Sequence, residues 1–434
     1  MIKKFNKLIQ DSFFRNYLIF FSSSMAVAFL NYFFHPVISR LLSVADFGEV
    51  QALFSIYVQL AVFFGVFSLI TVNISANIED KVEQIMVIKA LRKIALVMSA
   101  FLIFGILLFS VSLQKFFNFS SFYPFIGLAL MLLINASLLF PNAYLQGQSN
   151  FKAISLASIL SAGGKLIFAV IFVALGFRVA GAIAGLVAAQ LVTYAYVFSK
   201  TRNVFRNNSV KTDIQVLEKN RIAKELYYGL LVLAATGCIT LLYTSDILVV
   251  RRFFSGEIAG LYSGISLVAK IIFFGTGAIT AILLPTVKIK NEEQKNRSVL
   301  FKSFLLLCLT GGGVLLLFAL FPNPIIYLLF GHKYLTLSWL LPKLALLMFL
   351  ISVVNLFFYY FLALRRFFLL PLSVISLMIL GALTSFYNKT LDNIVNNFII
   401  TTIFIIFCLI LFYLANRVKL KKIGFKPLNI IWPN

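Results

Sequence analysis

Three ionisable residues of the 434-residue chain, Lys165, Lys270 and Asp246, stand inside long apolar runs. A charge near the middle of a bilayer costs about 2.5–3.5 kcal/mol on insertion scales, so it is kept where it faces a wet cavity or a partner. Lys165 shares a helical stripe with Ser155 and Ser158, with Ser161 alongside, and Lys270 shares one with Ser263, Ser266 and Gly277. Lysines so placed either hold an anionic substrate or counter-ion by charge-assisted hydrogen bonds or form structural ion pairs. Asp246 follows Thr236, Thr240 and Thr244 and precedes Arg251 and Arg252, so it either pairs with one of those arginines or titrates with a coupling ion, H+ or Na+. Ser24, Asn31 and His35 share one face, Gln51, Ser55 and Gln59 another, and Ser352, Asn355 and Tyr359 a third. Together these faces predict one central aqueous cavity between two halves of the chain. Its substrate-binding set is Lys165, Lys270, Ser155, Ser158, Asn31, Gln59, Ser266 and Asn355. Any single hydroxyl is weak evidence, because Ser and Thr in membrane helices commonly bond the helix backbone. Lys343, near the end of its apolar run, reads as a snorkelling side chain.

The elements that must carry these residues are set by composition. The chain is 61% hydrophobic and 12% charged, has 49 Phe, and yet carries a formal net charge of +24; its mean hydropathy is +0.99. This is a polytopic membrane protein rather than a soluble nucleic-acid binder. Apolar stretches of about 20 residues, enough to cross a bilayer as helices, predict an all-α integral membrane protein of about twelve spans. The predicted organisation is an interfacial cytoplasmic segment at 1–16, a six-helix lobe at 17–199, a basic linker at 200–225, a second six-helix lobe at 226–415 and a basic tail at 416–434. With the N-terminus placed inside, 28 of the 38 basic residues fall in cytoplasmic segments and 7 outside. Lys and Arg are retained on the cytoplasmic side, so both termini are assigned there. The linker's lysines and arginines suit anionic lipid headgroups and lack the aromatic interleaving of a nucleic-acid site. Cys238, Cys308 and Cys408 all fall within spans, an odd number without framework spacing. Two histidines and no Ser-His-Asp or paired-carboxylate arrangement on a common face give no support for an enzyme, a metal site or a cofactor.

The segment VISRLLSVADFGEV at 37–50 lines up with VVRRFFSGEIAGLY at 249–262, an offset of 212 residues. Arg40 matches Arg252, Ser43 matches Ser255 and Gly48 matches Gly260, each at the turn after an odd span. Six spans separate the copies, so the repeat is parallel. Gly181 with Gly185, and Gly260 with Gly264, have the spacing of close helix packing.

In this order along the chain, SRLLSVADFG at 39–48, LQGQSNFK at 145–152, DILVV at 246–250, AGLY at 259–262 and LFG at 329–331 resemble the polysaccharide transporter family of the multidrug/oligosaccharidyl-lipid/polysaccharide (MOP) exporters. That family includes the Wzx-type O-antigen flippases. The resemblance implies a MATE-like V of two six-helix lobes working by alternating access in the bacterial inner membrane. It implies a substrate of undecaprenyl-pyrophosphate-linked oligosaccharide, for O-antigen in lipopolysaccharide biosynthesis or a related surface polysaccharide. Membrane lipids, a polysaccharide polymerase and a chain-length regulator would be its partners. A multidrug cation antiporter, a lipid II exporter and a non-transporting scaffold for polysaccharide assembly are the competing readings; the first calls for acidic groups in the N-terminal spans, the second for helices beyond twelve.

Overall fold

The computed structural model describes residues 12–206, 219–287, 293–366 and 368–422. Within them the chain is all helix, with no strand. Twelve helices have 18 or more residues: α1 (Ser12–Leu41), α2 (Val44–Asn77), α3 (Lys81–Leu108), α5 (Tyr123–Gly147), α6 (Phe151–Phe172), α7 (Arg178–Arg206), α8 (Lys219–Phe253), α9 (Gly256–Thr286), α10 (Glu293–Leu320), α12 (Leu341–Ala363), α13 (Leu369–Phe386) and α14 (Leu391–Lys422). Each carries one of the twelve apolar stretches. Two short helices, α4 (Ser110–Phe116) and α11 (Pro322–Phe330), follow α3 and α10, and a 3-10 segment, His332–Leu340, leads into α12. Among the described residues ten stretches are long and apolar enough to cross a membrane, and one of them, Phe151–Phe205, holds both α6 and α7; α1 is the long helix outside these ten.

Local chemistry explains the boundaries. Ser43 Oγ accepts from the Asp46 amide at 3.2 Å and starts α2, Asp80 caps α3, and Asn150 caps α6. Pro322 opens α11, and Gly331 at φ +89° closes it. The tight connection between α6 and α7 is a π-helical turn, Val173–Phe177, in which Gly176 sits at φ +91°, followed by Arg178 at φ +47°. Beyond this turn the two helices run against each other without side chains between them: a Cβ on Gly185 would lie 2.4 Å from Ala169 Cα, and one on Gly181 2.9 Å from the Phe172 carbonyl.

The helices present apolar surface outwards, with Phe101 77% exposed and Met378 70% exposed. Large exposed apolar side chains at this density belong in lipid. The basic stretch at 200–225 is helical at both described ends, as α7 runs to Arg206 and α8 starts at Lys219; residues 207–218 lie outside the described residues, as do 1–11 of the N-terminal segment and 423–434 of the tail.

By internal contacts the chain forms two compact units, Met1–Val268 with Phe321–Leu341, and Ala269–Leu320 with Pro342–Asn434. The first is built on α6 packed between α1 and α7, with α2 against α5 and α8. In the second, α13 packs on α14.

Candidate functional site

Lys165 lies at mid-length on α6, buried, facing α1 and α2. Its Nζ donates to Asn31 Oδ1 at 2.9 Å. It sits 4.5 Å from the ring centre of Phe34 and 5.7 Å from that of Phe54, distances at which a ring face attracts a cation. Among the described residues no carboxylate pairs with it. Ten residues earlier on the same helix, Ser155 is bonded at 2.8 Å to Ser23, the neighbour of the expected Ser24. Ser158 is half-buried on the same helix. Asn31 itself is exposed, while Lys165 is buried. His35 Nδ1 and Gln51 Nε2 meet at 3.1 Å, which joins α1 to α2.

Phe54 also leads to a cluster that the polar stripes did not bring out. Its ring centre is 6.2 Å from that of Tyr57, whose hydroxyl accepts from Asn135 Nδ2 at 2.6 Å and Gln190 Nε2 at 2.8 Å. These residues come from α2, α5 and α7. The available signal was that Asn135 and Gln190 are isolated amides in apolar runs, an expensive choice in lipid.

Gln59, one of the expected binding residues, donates to Thr244 Oγ1 at 2.9 Å and Ser245 Oγ at 3.1 Å on α8. Asp246 is fully buried, and accepts from Ser266 Oγ and, at 3.4 Å, from Tyr262 Oη on α9. The carboxylate bound by Arg251 is that of Glu49, at 2.7 Å, and both side chains are buried. Arg251 further donates to Phe117 O at 3.1 Å and Asn118 O at 2.6 Å, beyond α4, while Glu49 accepts from the amide and hydroxyl of Ser120. Every charge here has an opposite charge or a fixed dipole against it. Nearby, Arg178 holds the buried Asp46 with two bonds of 2.9 and 2.8 Å, its own side chain being exposed.

The repeat appears in the geometry at the same register. Arg40 donates to Leu328 O at 3.2 Å and Arg252 to Phe116 O at 3.0 Å; both the arginines and the carbonyls are 212 residues apart. Ser43 caps α2 through the Asp46 amide, and Ser255 accepts from the Ile258 amide at 3.4 Å, again at that offset. Gly48 and Gly260 abut: a Cβ on Gly48 would lie 2.8 Å from Gly260 Cα, and one on Gly260 would lie 1.9 Å from Val44 O. Glu49 and Arg251 break the pattern, since their repeat images are Leu261 and Ser39.

In the second unit, Lys270 is buried on α9. Asn355 donates to Thr280 Oγ1 at 3.4 Å, and Thr276 Oγ1 to Ser352 Oγ at 3.0 Å. Lys343, expected to reach from its span to the interface, pairs with Asp392 in the first turn of α14, where both side chains are partly exposed. Many stripe hydroxyls turn back on their own helix, as Ser55, Thr236, Ser263 and Ser352 do on the carbonyl four residues earlier. Among the described residues no group of three or more His, Cys, Asp or Glu could hold a metal ion.

A family model described as polysaccharide biosynthesis protein matches residues 37–338. No curated protein matches the sequence. Among solved structures, an inward-facing multidrug resistance MATE family transporter of the MOP superfamily is 14% identical, covers 93% of this chain and 98% of its own, and has a TM-score of 0.72. An outward-facing structure of a transporter of the same description is 17% identical, with coverage of 94% and 95% and a TM-score of 0.59. A MOP superfamily transporter from Pyrococcus furiosus, reported with a binding pocket of reverse polarity that suggests a different function, is 15% identical, with coverage of 94% and 95% and a TM-score of 0.54. These likenesses establish the fold.

Proposed function

The chain belongs to this family of polysaccharide biosynthesis proteins and has the fold of MOP-superfamily transporters, and from that premise we propose that it is a flippase. It moves an undecaprenyl-pyrophosphate-linked oligosaccharide, a repeat unit of O-antigen or a related surface polysaccharide, from the cytoplasmic to the periplasmic leaflet of the bacterial inner membrane. The observation that carries this reading is Lys165, a buried cation held by Asn31 and two aromatic rings. A lysine satisfied by a neutral amide and ring faces keeps its net charge, and that charge suits a pyrophosphate. An antiporter of cationic drugs would want acidic groups where Lys165 stands.

The polyprenyl chain stays in lipid in this mechanism, and only the head group enters the protein. Asp246, buried against Ser266 and Tyr262, is the candidate for coupling to H+ or Na+. The excess of basic residues in the predicted inner loops supports a cytoplasmic side for both termini; a polymerase and a chain-length regulator are the expected partners.

The test is Lys165→Ala in cells that depend on this protein for surface polysaccharide. Lipid-linked oligosaccharide is expected to accumulate on the cytoplasmic leaflet while surface polysaccharide falls at least tenfold, with the protein present in the membrane at its normal level. Undiminished surface polysaccharide with the variant in place would rule the reading out. Lys270→Ala, scored separately, asks whether the second buried lysine serves the same substrate.

A further inference from the structure

The turn between α1 and α2 and the turn between α8 and α9 meet in a joint that lies wholly within the first compact unit. Most of its polar contacts come in pairs related by the repeat. Arg40 and Arg252 each donate to a carbonyl of the short helix that follows in the other half, Leu328 O on α11 and Phe116 O on α4, while Gly48 and Gly260 abut. A carbonyl released from an arginine is bonded by water instead, so these contacts do little to hold the joint shut. The rings of Phe47, Phe330 and Tyr334, with centres 5.9, 6.2 and 5.2 Å apart, do more, because parting them returns apolar surface to water.

The Glu49–Arg251 pair has no repeat image, since Leu261 and Ser39 stand at the equivalent positions. Both side chains are buried, with oxygen and nitrogen 2.7 Å apart. Such a pair acts on a joint differently from apolar contacts. In the closed joint each charge is compensated by the other, and in a joint open to water each regains its hydration; the two gains roughly balance. The states that suffer are those between, in which the charges have separated and water has not entered. The pair therefore makes the joint bistable, and it keeps the rings from holding the joint permanently closed.

We propose that Glu49 and Arg251 form a breakable lock, which comes apart when this joint opens during transport and re-forms when it closes. The lock rests on the transporter fold and not on the identity of the cargo. Two ways of removing the pair then have opposite consequences. Glu49→Gln leaves the Arg251 guanidinium in the closed joint without a carboxylate, which disfavours closure, so the joint opens more often. Glu49→Leu with Arg251→Met fills the same space with apolar groups, which favours closure, so the joint opens less often. A pair that served only to hold the fold would change the melting temperature without moving the opening of the joint in both directions.

The experiment follows Ser39→Cys, a change of similar size at a buried position beside Tyr334. The full-length protein is used, with Cys238, Cys308 and Cys408 replaced by alanine, and it is held in lipid nanodiscs. The rate at which the new thiol reacts with a water-soluble maleimide reports how often the joint opens. Adding Glu49→Gln is expected to raise that rate roughly tenfold or more, and adding Glu49→Leu with Arg251→Met to lower it roughly tenfold or more. The lock is wrong if Glu49→Gln reacts no faster than the parent, or if the double variant reacts as fast as the parent or faster. Should Glu49→Gln not fold, the double variant decides alone. Neither result bears on the flippase reading, which stands or falls with Lys165.

Discussion

Arg251 and Lys165 are both buried cations of the first unit, and the protein treats them in opposite ways. Arg251 is enclosed by Glu49 and by the carbonyls of Phe117 and Asn118, at a helix end where the chain turns. Lys165 is placed at mid-span and is met by a neutral amide and two rings. The first arrangement neutralises a charge in order to fasten segments 202 residues apart in sequence; the second retains a charge where retention is costly. The contrast separates structural charge from charge kept for a ligand, and substitutions can push on each side of it.

The largest effect is expected at the ion pair. Glu49→Ala leaves the Arg251 guanidinium buried without its carboxylate, and breaking one partner of such a pair costs about 3–5 kcal/mol. Thermal unfolding in detergent should show it as a large drop in melting temperature. The pair Glu49→Leu with Arg251→Met should recover most of the loss, since apolar replacements of similar volume are often neutral. The repeat supports this, because the equivalent positions are Leu261 and Ser39 and carry no charge. If Glu49→Ala melts with wild type, the charges do not fasten the turn.

Next in size is the glycine contact. A Cβ on Gly260 meets the Val44 carbonyl oxygen at 1.9 Å, which is backbone and cannot swing aside, whereas one on Gly48 meets Gly260 at 2.8 Å. Gly260→Ala is therefore expected to cost about 1–3 kcal/mol through forced separation of the α2 and α9 starts, with Gly48→Ala milder. Gly163→Ala, with nothing within 4 Å of its Cβ, serves as the control and should be neutral or slightly stabilising. Equal melting of all three variants would remove the close approach as a feature of the joint.

What could be read beforehand follows the same division. Lipid requires helices with internally satisfied backbone, so the apolar blocks gave the twelve long helices, and even the tight connection at Gly176 shows in the lack of polar spacer. The match of Arg40, Ser43 and Gly48 to Arg252, Ser255 and Gly260 was visible because a repeat preserves register. Pairings between distant helices were not: periodicity tells which face of α2 is polar, but not that Glu49 meets Arg251 or that Tyr57 meets Asn135 and Gln190. Serine and threonine stripes are less informative for a plainer reason: Ser263 and Ser352 donate their hydroxyls to their own helix, which a stripe alone does not distinguish from a hydroxyl turned to a neighbour. Lys165 could be singled out because a lone lysine at mid-span admits few explanations, but its bond to Asn31, like the other pairings between helices, could not.

The smallest expected effect on stability is also the most telling, and it concerns Lys165. A mid-span lysine costs about 2.5–3.5 kcal/mol on insertion scales. Against this, a hydrogen bond from a charged donor contributes about 1.5–3 kcal/mol, and a desolvated cation–ring contact up to about 2 kcal/mol. The two sides nearly cancel, so Lys165→Met, which keeps the length of the side chain and packs against Phe34 and Phe54 without a charge, should change stability by less than about 1 kcal/mol. A structural ion would respond as Glu49→Ala does, with a large loss. A melting temperature within a few degrees of wild type, together with lost surface polysaccharide, is the combination expected of a residue kept for its ligand; strong destabilisation would move Lys165 to the structural side and leave the contrast with Arg251 without foundation.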